Sequence, residues 1–217
     1  MGGGKRVNGY KVIDMDSWKR RIHCAVFQNY ALPQYCITAE LDVTEFYKNI
    51  KKRNKSFTFS MMYLIGKNAN AIEEFRYRFL GGDVVLFDRI DTAFTYMDED
   101  SDLFKVVRAE MTDDIDEYIS AARNAAENQK EYFTGPLGND VFQFSALPWI
   151  QYTHVSHTFS GDPKCATPLF DWGRFYERGG KLWLPFSVQA HHSFVDGIHI
   201  GRLIDSIQTD LNEDPWR

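Results

Sequence analysis

The segment KLWLPFSVQAHHSFVDGIHIGRLIDSIQTDL, residues Lys181–Leu211, changes its hydrophobic period partway along. Its first part alternates, so that one face carries Leu182, Leu184, Phe186, Val188, Ala190 and His192, and the other carries Ser187, Gln189 and His191. After Gly197, helical spacing relates Ile200, Leu203, Ile204, Ile207 and Leu211. The segment therefore predicts a strand followed by an amphipathic helix. Two histidines and Asp196 lie at the connection, where active-site residues are often presented.

Four earlier segments carry the spacing of helices. Asp16 or Ser17 can cap a first helix, with Trp18, Ile22 and Val26 on one face. Thr44 can open a second helix, with Phe46 and Ile50 on its apolar stripe. The stripe of the third helix consists of Phe59, Met62, Ile65, Ala69 and Ile72. The stripe of the fourth consists of Ile115, Tyr118, Ile119, Ala122 and Ala126. Two hairpins are predicted, with turns at Gly81–Gly82 and Asp98–Asp102. Because no repeat or linker divides the chain, we expect one α/β domain over residues 1–217.

Composition and charge restrict the class of protein. The chain has 217 residues and is 44% hydrophobic, which is enough to form a substantial core. Its formal net charge of -5 lacks the basic excess that nucleic-acid binding by electrostatics requires. The basic run KNIKKRNK, Lys48–Lys55, fits either the solvated face of a helix or a contact with a phosphorylated small ligand.

The cysteines and the N-terminus predict a cytoplasmic protein. Cys24, Cys36 and Cys165 are odd in number, widely spaced and without a zinc-ligand pattern, so neither a disulfide framework nor a zinc site is expected. The start MGGGKRVNGYKV lacks the apolar run of a signal peptide, and no apolar stretch reaches the length of a membrane span. We therefore expect no metal, no membrane contact and no nucleic-acid partner.

His192 and Asp196 have an ordinary interpretation as well as a catalytic one. A histidine at a strand end is commonly bonded to its neighbours, and Asp196 can simply cap the following helix. An imidazole on an apolar face, however, stays mostly neutral because desolvation disfavours its charged form. The free lone pair of a neutral imidazole is what a general base needs near neutral pH. A metal site that uses His191, His192 and His199 is a further alternative, although successive strand side chains diverge.

Three segments resemble the chloramphenicol acetyltransferase family, both in their residues and in their order and spacing along the chain. The HHxxxDG signature of the family is met by His191, His192, Asp196 and Gly197; the segment SALPW stands at Ser145–Trp149; and the N-terminal WxRR.H pattern is met by Trp18, Arg20, Arg21 and His23. Dihydrolipoamide acyltransferases share HHxxxDG, but the three segments together are specific. The resemblance runs from Tyr10 to the C-terminus. It implies a two-layer sandwich of a mixed sheet and helices, of the CoA-dependent acyltransferase type.

The resemblance implies an acetyl-CoA-dependent O-acetyltransferase that acts on chloramphenicol. His192 would be the general base that takes the proton of the acceptor hydroxyl, which attacks the thioester carbonyl of acetyl-CoA directly in a ternary complex. Ser145 would donate a hydrogen bond to the developing oxyanion, and His191 would be structural. The family forms homotrimers whose active sites lie between subunits.

The remaining site residues are expected either to shape the site or to line the acceptor pocket. The resemblance pairs Asp196 with Arg20 in a buried ion pair that shapes the site without orienting the base. Val26 and Phe27 are acceptor-pocket candidates, with Val26 beside the retained aromatic residue. Asp171, in PLFDWGRF, replaces the usual threonine of the family and would make the pocket more polar.

The acceptor is therefore either chloramphenicol or another small hydroxyl or thiol compound that is acylated by the same chemistry. A non-enzymatic protein that binds a ligand or a metal is the alternative from a different class.

Overall fold

The structure is a computed structural model that describes residues 9–97, 101–158 and 160–216. Within these ranges the strands are β1 (Tyr10–Val12), β2 (Gln34–Asp42), β3 (Tyr77–Leu80), β4 (Asp83–Phe87), β5 (Asp91–Met97), β6 (Phe104–Ala109), β7 (Val141–Leu147), β8 (Leu169–Gly173), β9 (Tyr176–Arg178) and β10 (Lys181–His191). The helices are α1 (Arg21–Phe27), α2 (Thr44–Arg53), α3 (Phe57–Ala71), α4 (Ile115–Asn128) and α5 (Gly197–Asn212), and a short 3-10 helix spans Glu73–Arg76.

The main sheet is mixed. In the described part of the chain, six strands run in the order β2-β10-β8-β7-β5-β6, and β9 pairs with β10. Strand β7 is parallel to both β5 and β8, and parallel neighbours need a crossover connection. The crossover from β5 to β7 contains α4, whereas the crossover from β7 to β8, residues 148–168, contains no helix or strand among its described residues. A small antiparallel sheet, β1-β4-β3, lies beside the main one.

The two faces of the main sheet differ because side chains alternate along each strand. One face, against which α3, α4 and α5 pack, carries the buried side chains of Phe142, Phe144, Phe170, Trp172, Leu184, Phe186 and Val188. The other face carries a polar row that is in register across four strands, formed by Ser145, Asp171, Ser187 and Thr38. The crossover 148–168 covers part of this polar face. The expected two-layer α/β sandwich is confirmed.

Four of the five helices follow their predicted apolar stripes. All the stripe residues of α2 and α4 are buried. In α3 the stripe is buried from Phe59 to Ala69, and Ile72 lies just beyond the end of the helix. Ser56 caps α3 and Asp114 caps α4 through side-chain hydrogen bonds to backbone N–H groups. In α5 the stripe is buried except for Ile204, which is half-buried.

Helix α1 differs from its prediction. It begins at Arg21, so neither Asp16 nor Ser17 caps it, and Trp18 lies before it. Ile22 is 68% exposed and Val26 is 48% exposed, whereas Cys24 is buried. The helix therefore turns an apolar stripe away from the core. The spacing was sufficient to identify an apolar face but carried no information about what covers it.

Both predicted hairpins form. β3 and β4 pair around Gly81 and Gly82, which have positive φ values of 63° and 98° as a tight turn requires. β5 and β6 also pair antiparallel, and residues 98–100 of their predicted turn lie outside the described residues.

The basic run Lys48–Lys55 lies on α2 and just beyond it. Its side chains form ion pairs with acidic neighbours, namely Lys48 with Glu45, Arg53 with Asp214 and Lys55 with Asp116. This arrangement agrees with the solvated helix face rather than with a vacant phosphate site. No helix in the described residues is long and apolar enough to cross a membrane.

Candidate active site

The end of β10 buries the first of the two adjacent histidines. His191 is 2% exposed. Its Nδ1 accepts a hydrogen bond from the backbone N–H of Ser193 at 3.1 Å, and its Nε2 lies 2.8 Å from the carbonyl oxygen of Pro163. Because a carbonyl oxygen can only accept, Nε2 carries the proton. Both ring nitrogens are therefore used, and burial lowers the pKa of His191, which favours the neutral ring.

His192 lies one residue beyond β10 and keeps 37% of its side chain exposed. Its ring stacks on Phe27, with a centroid separation of 4.0 Å and an interplanar angle of 4°. Tyr35 packs at a tilt against the same ring, at 4.7 Å. The strand alternation predicted His192 on the apolar face of the sheet. The structure corrects this, because the strand ends at His191 and the next imidazole lies at the surface, held by two aromatic rings.

Asp196 and Arg20 form a bidentate ion pair. Nη1 of Arg20 donates to Oδ2 of Asp196 at 2.7 Å, and Nη2 donates to Oδ1 at 3.0 Å. The Arg20 hydrogen bonds hold the pKa of Asp196 below its usual value. The side chains are 14% and 29% exposed, so the pair is partly exposed, in contrast to the buried pair that was expected. It links the residue before α1 to the N-terminus of α5.

Asp196 also lies close to His192. Its Oδ1 is 3.2 Å from Nδ1 of His192, within ion-pair distance, yet Nδ1 has no hydrogen-bond partner of acceptable geometry in the described residues. The two atoms are close enough for a hydrogen bond but are not aligned for one, so the contact is electrostatic. The backbone N–H of Asp196 donates to Nδ1 of His199, which fixes the start of α5. The carboxylate therefore lies beside the imidazole without a bond that would orient it.

Ser145 belongs to β7 and lines a cavity of about 640 Å³. The cavity wall is mostly apolar, with Phe59 of α3 and Trp149 after β7, and it also includes Arg123 and Glu127 of α4. The hydroxyl of Ser145 makes no hydrogen bond to any residue in the described ranges. The hydroxyl is therefore available to donate a hydrogen bond, as far as the described residues are concerned.

The structure does not bring Ser145 and His192 together within one copy of the chain. Ser145 is in register with Asp171 and Ser187, so it lies two strands away from β10. That separation is about 10 Å across the sheet, and the run from Ser187 to His191 adds about 13 Å along it. One reacting carbonyl group cannot contact both side chains at that separation.

Asp171 is completely buried and has one hydrogen-bond partner. Its Oδ2 lies 2.7 Å from Nε2 of His157, which belongs to the crossover 148–168, and Oδ1 has no partner among the described residues. Burial raises the pKa of Asp171, and the contact with His157 opposes this effect. Sequence reasoning missed His157. The available signal was an acid between Phe170 and Trp172 in an apolar strand, because a buried acid needs a partner.

The acceptor-pocket candidates are thus spread over two places. Phe27 contacts the His192 ring, and Val26 is exposed on the same helix. Asp171 lies on the polar face of the sheet, in the same row as Ser145. Within one copy, Phe27 lies beside the residue after β10, whereas Asp171 lies on the neighbouring strand β8 and further along the sheet.

No group of three or more potential metal ligands is found in the described residues. The alternative metal site is also disfavoured by the existing contacts of its residues. His191 is bonded at both nitrogens, and His199 uses Nδ1 on the backbone of Asp196 while its Nε2 lies 3.4 Å from Glu74.

Comparisons with known proteins agree over nearly the whole chain. The family model described as chloramphenicol acetyltransferase matches residues 8–208. A chloramphenicol acetyltransferase from a Klebsiella species is 28% identical over 212 residues, which covers 96% of this chain and 97% of the relative. Chloramphenicol acetyltransferase 2 from Escherichia coli is 29% identical over 201 residues, with 90% and 94% covered.

Solved structures give the same result. A chloramphenicol acetyltransferase structure superposes with a TM-score of 0.84 at 26% identity and covers 93% of this chain and 99% of its own. A probable dihydrolipoamide acetyltransferase from Listeria monocytogenes gives a TM-score of 0.63 at 11% identity, with 89% of each chain covered, which shows a shared fold only. The fold is therefore that of the CoA-dependent acyltransferases.

Proposed function

The chain belongs to the chloramphenicol acetyltransferase family, and on that premise we propose that it transfers the acetyl group of acetyl-CoA to a hydroxyl group of a small acceptor, with chloramphenicol as the first acceptor to test. The observation that carries the proposal is the contrast between the two histidines at the end of β10. His191 is bonded at both nitrogens, whereas His192 is stacked on Phe27 and keeps 37% of its side chain exposed.

His192 is the general base of the proposed reaction. An alcohol is a weak nucleophile unless its proton is accepted as the new C–O bond forms. The stack on Phe27 and the contact with Tyr35 restrict the rotation of the imidazole, which keeps the base in one orientation. Asp196, held in place by its two hydrogen bonds from Arg20, places a negative charge beside the ring. The proton of the acceptor hydroxyl passes to the imidazole and leaves with the CoA thiol.

Ser145 is the proposed hydrogen-bond donor to the thioester carbonyl oxygen. Its hydroxyl makes no hydrogen bond within the described ranges, and the residue is one of those that line the apolar cavity between α3, α4 and the ends of β5 and β7. A donor aimed at the negative charge that develops on the carbonyl oxygen lowers the barrier by about 2.7 to 4 kcal/mol. The acetyl group goes directly from sulfur to the acceptor oxygen, in a ternary complex without an acyl-enzyme.

The separation of Ser145 and His192 supports a site shared between two copies. Apolar side chains are exposed near each residue, namely Ile22, Val26, Tyr30 and Leu32 around His192 and Leu103, Phe104, Trp149 and Ile150 around Ser145. Contact between two different surfaces is heterologous and generates a ring when the rotation closes. A homotrimer, with residues 1–217 acting as one domain in each copy, is our proposal for the active assembly.

The proposal is tested by measuring release of the CoA thiol from acetyl-CoA in the presence of chloramphenicol. We expect acceptor-dependent release by the wild type and nearly none by His192→Ala. His191→Ala is the matched control, since it lowers the thermal stability but keeps the base. If both variants are folded and retain equal activity, His192 is not the base. If the wild type releases no thiol with any hydroxyl or thiol acceptor, the proposed transfer itself is wrong.

A further inference from the structure

The His157–Asp171 pair, on the polar face of the sheet, joins a buried carboxylate to a partly exposed imidazole. Asp171 is fully buried, whereas 18% of the His157 side chain remains exposed. In the described residues no lysine or arginine pairs with Asp171, and its Oδ1 has no hydrogen-bond partner. A buried carboxylate that is half satisfied stabilises a fold less well than an apolar pair of the same shape would. Its contribution to the fold alone therefore does not explain the pair.

The carboxylate determines which hydrogen bond the imidazole can offer. An ionised Asp171 only accepts, so Nε2 of His157 donates to it across 2.7 Å. In the neutral ring the other nitrogen, Nδ1, then carries a lone pair. Nδ1 has no protein partner within the described ranges. Nδ1 of His157 can therefore accept a hydrogen bond from a ligand beside the crossover, and the carboxylate of Asp171 places a negative charge behind the ring.

The pair is also next to the residue that we assign to the reacting carbonyl. Asp171 and Ser145 are in register on adjacent parallel strands and share a face, with backbones about 5 Å apart. The next row on that face, about 7 Å along, contains Gln143, Leu169 and Gln189. These three residues line a cavity of about 270 Å³ together with Thr158, the residue after His157. The space beside the pair is therefore polar and rich in amide groups.

We propose that His157 and Asp171 determine acceptor specificity and select an amino alcohol, in which a protonated amine accompanies the hydroxyl that is acetylated. An ammonium group supplies both a hydrogen bond to Nδ1 of His157 and the positive charge that the buried carboxylate lacks. This inference rests on the proposed transfer, because Ser145 on the strand next to Asp171 is the reason to expect an acceptor at this face of the sheet.

Two matched acceptors test the inference. One is chloramphenicol, and the other is the amino diol that remains when its dichloroacetyl group is removed, so that a charged amine replaces a neutral amide on the same skeleton. Calorimetric binding and thiol release are measured with the wild type, with Asp171→Asn and with the double variant His157→Leu/Asp171→Thr. Asp171→Asn keeps the shape and the bond to His157, and the double variant removes the pair together. His154→Leu is the control, because His154 is an exposed histidine of the same crossover.

We expect the wild type to bind the amino diol at least about tenfold more tightly than chloramphenicol, the size of one charge-assisted hydrogen bond. Both Asp171 variants should lose that preference, and His154→Leu should keep it. A preference that changes by less than about twofold in the folded Asp171 variants would overturn the inference. Selective binding without thiol release from either acceptor would instead contradict the proposed transfer and leave the assignment of the pair intact.

Discussion

At the residue scale, the neighbours of each polar side chain decide whether it is available for chemistry. His191 donates to Pro163 and accepts from Ser193, while the side chain of the adjacent His192 makes only ring contacts and an electrostatic contact with Asp196 among the described residues. Ser145 is likewise uncommitted, although many hydroxyl groups in this structure are bonded, such as those of Ser187 and Thr38 to each other. A base and a hydrogen-bond donor that are not already bonded to other groups are what acyl transfer to an alcohol requires.

Replacement of Ser145 by alanine tests the oxyanion assignment. Because the hydrogen bond is made chiefly in the transition state, we expect kcat to fall by about 10² to 10³ with little change in the KM for acetyl-CoA. Steady-state kinetics with acetyl-CoA varied at saturating acceptor measure this. An increase in KM at unchanged kcat would instead assign Ser145 to substrate binding.

The Arg20–Asp196 pair predicts a pH-dependent contribution to stability. Arg20 lowers the pKa of Asp196 in the folded state, so the contribution is fully present above the unfolded value near about 4 and is lost as the pH falls through the lower folded value. Because the pair is partly exposed, we expect Asp196→Asn to lower the free energy of unfolding by about 1 to 2 kcal/mol at neutral pH.

Chemical denaturation of the wild type and Asp196→Asn at pH values from neutral to acid measures this difference. It should be constant above about pH 5 and shrink below about pH 4. Asp16→Asn serves as the control, since Asp16 is almost fully exposed and lies 3.7 Å from Arg21. A difference that is independent of pH would show that the loss does not arise from the charge of Asp196.

At the element scale, the sequence predicted what a single helix or hairpin determines by itself. The stripe of α4 from Ile115 to Ala126 is buried as its spacing indicated, and the turn at Gly81–Gly82 forms where only glycine adopts the required φ values readily. The register that aligns Ser145 with Asp171 depends on pairing between distant strands, which has no local signal. The crossover 148–168 has no period at all, so its delivery of His157 to Asp171 could not be predicted.

Helix α1 gives a prediction at this scale. Its exposed Ile22 and Val26 belong to the same helix as Phe27, which stacks on His192, and we propose that they contact the neighbouring copy. Ile22→Lys should therefore weaken assembly and activity together, because a charge is desolvated at the contact, while the isolated copy stays folded. Analytical ultracentrifugation measures the assembly. Val12→Lys is the control, since Val12 is 59% exposed in the small sheet. Equal effects of the two variants would argue against the role assigned to α1.

At the scale of the whole molecule, the chain holds the two halves of the proposed site at different places on its surface. His192 lies just beyond the end of β10 and stacks on Phe27 of α1, whereas Asp171 lies on the neighbouring strand β8 and Ser145 lies two strands away on β7, both further along the sheet. A single copy would then have a base without an oxyanion donor within reach. We therefore propose that a second copy of the chain completes the active site.

Complementation between two inactive variants tests that claim most directly. His192→Ala and Ser145→Ala chains carrying different affinity tags are co-expressed, and hybrid assemblies are isolated through both tags. A hybrid ring contains contacts at which an intact His192 faces an intact Ser145. In a trimeric ring that contains both variants, one of the three contacts has this arrangement, so we predict about a third of the wild-type activity. Hybrid assemblies no more active than the mean of the two separate variants would contradict the account.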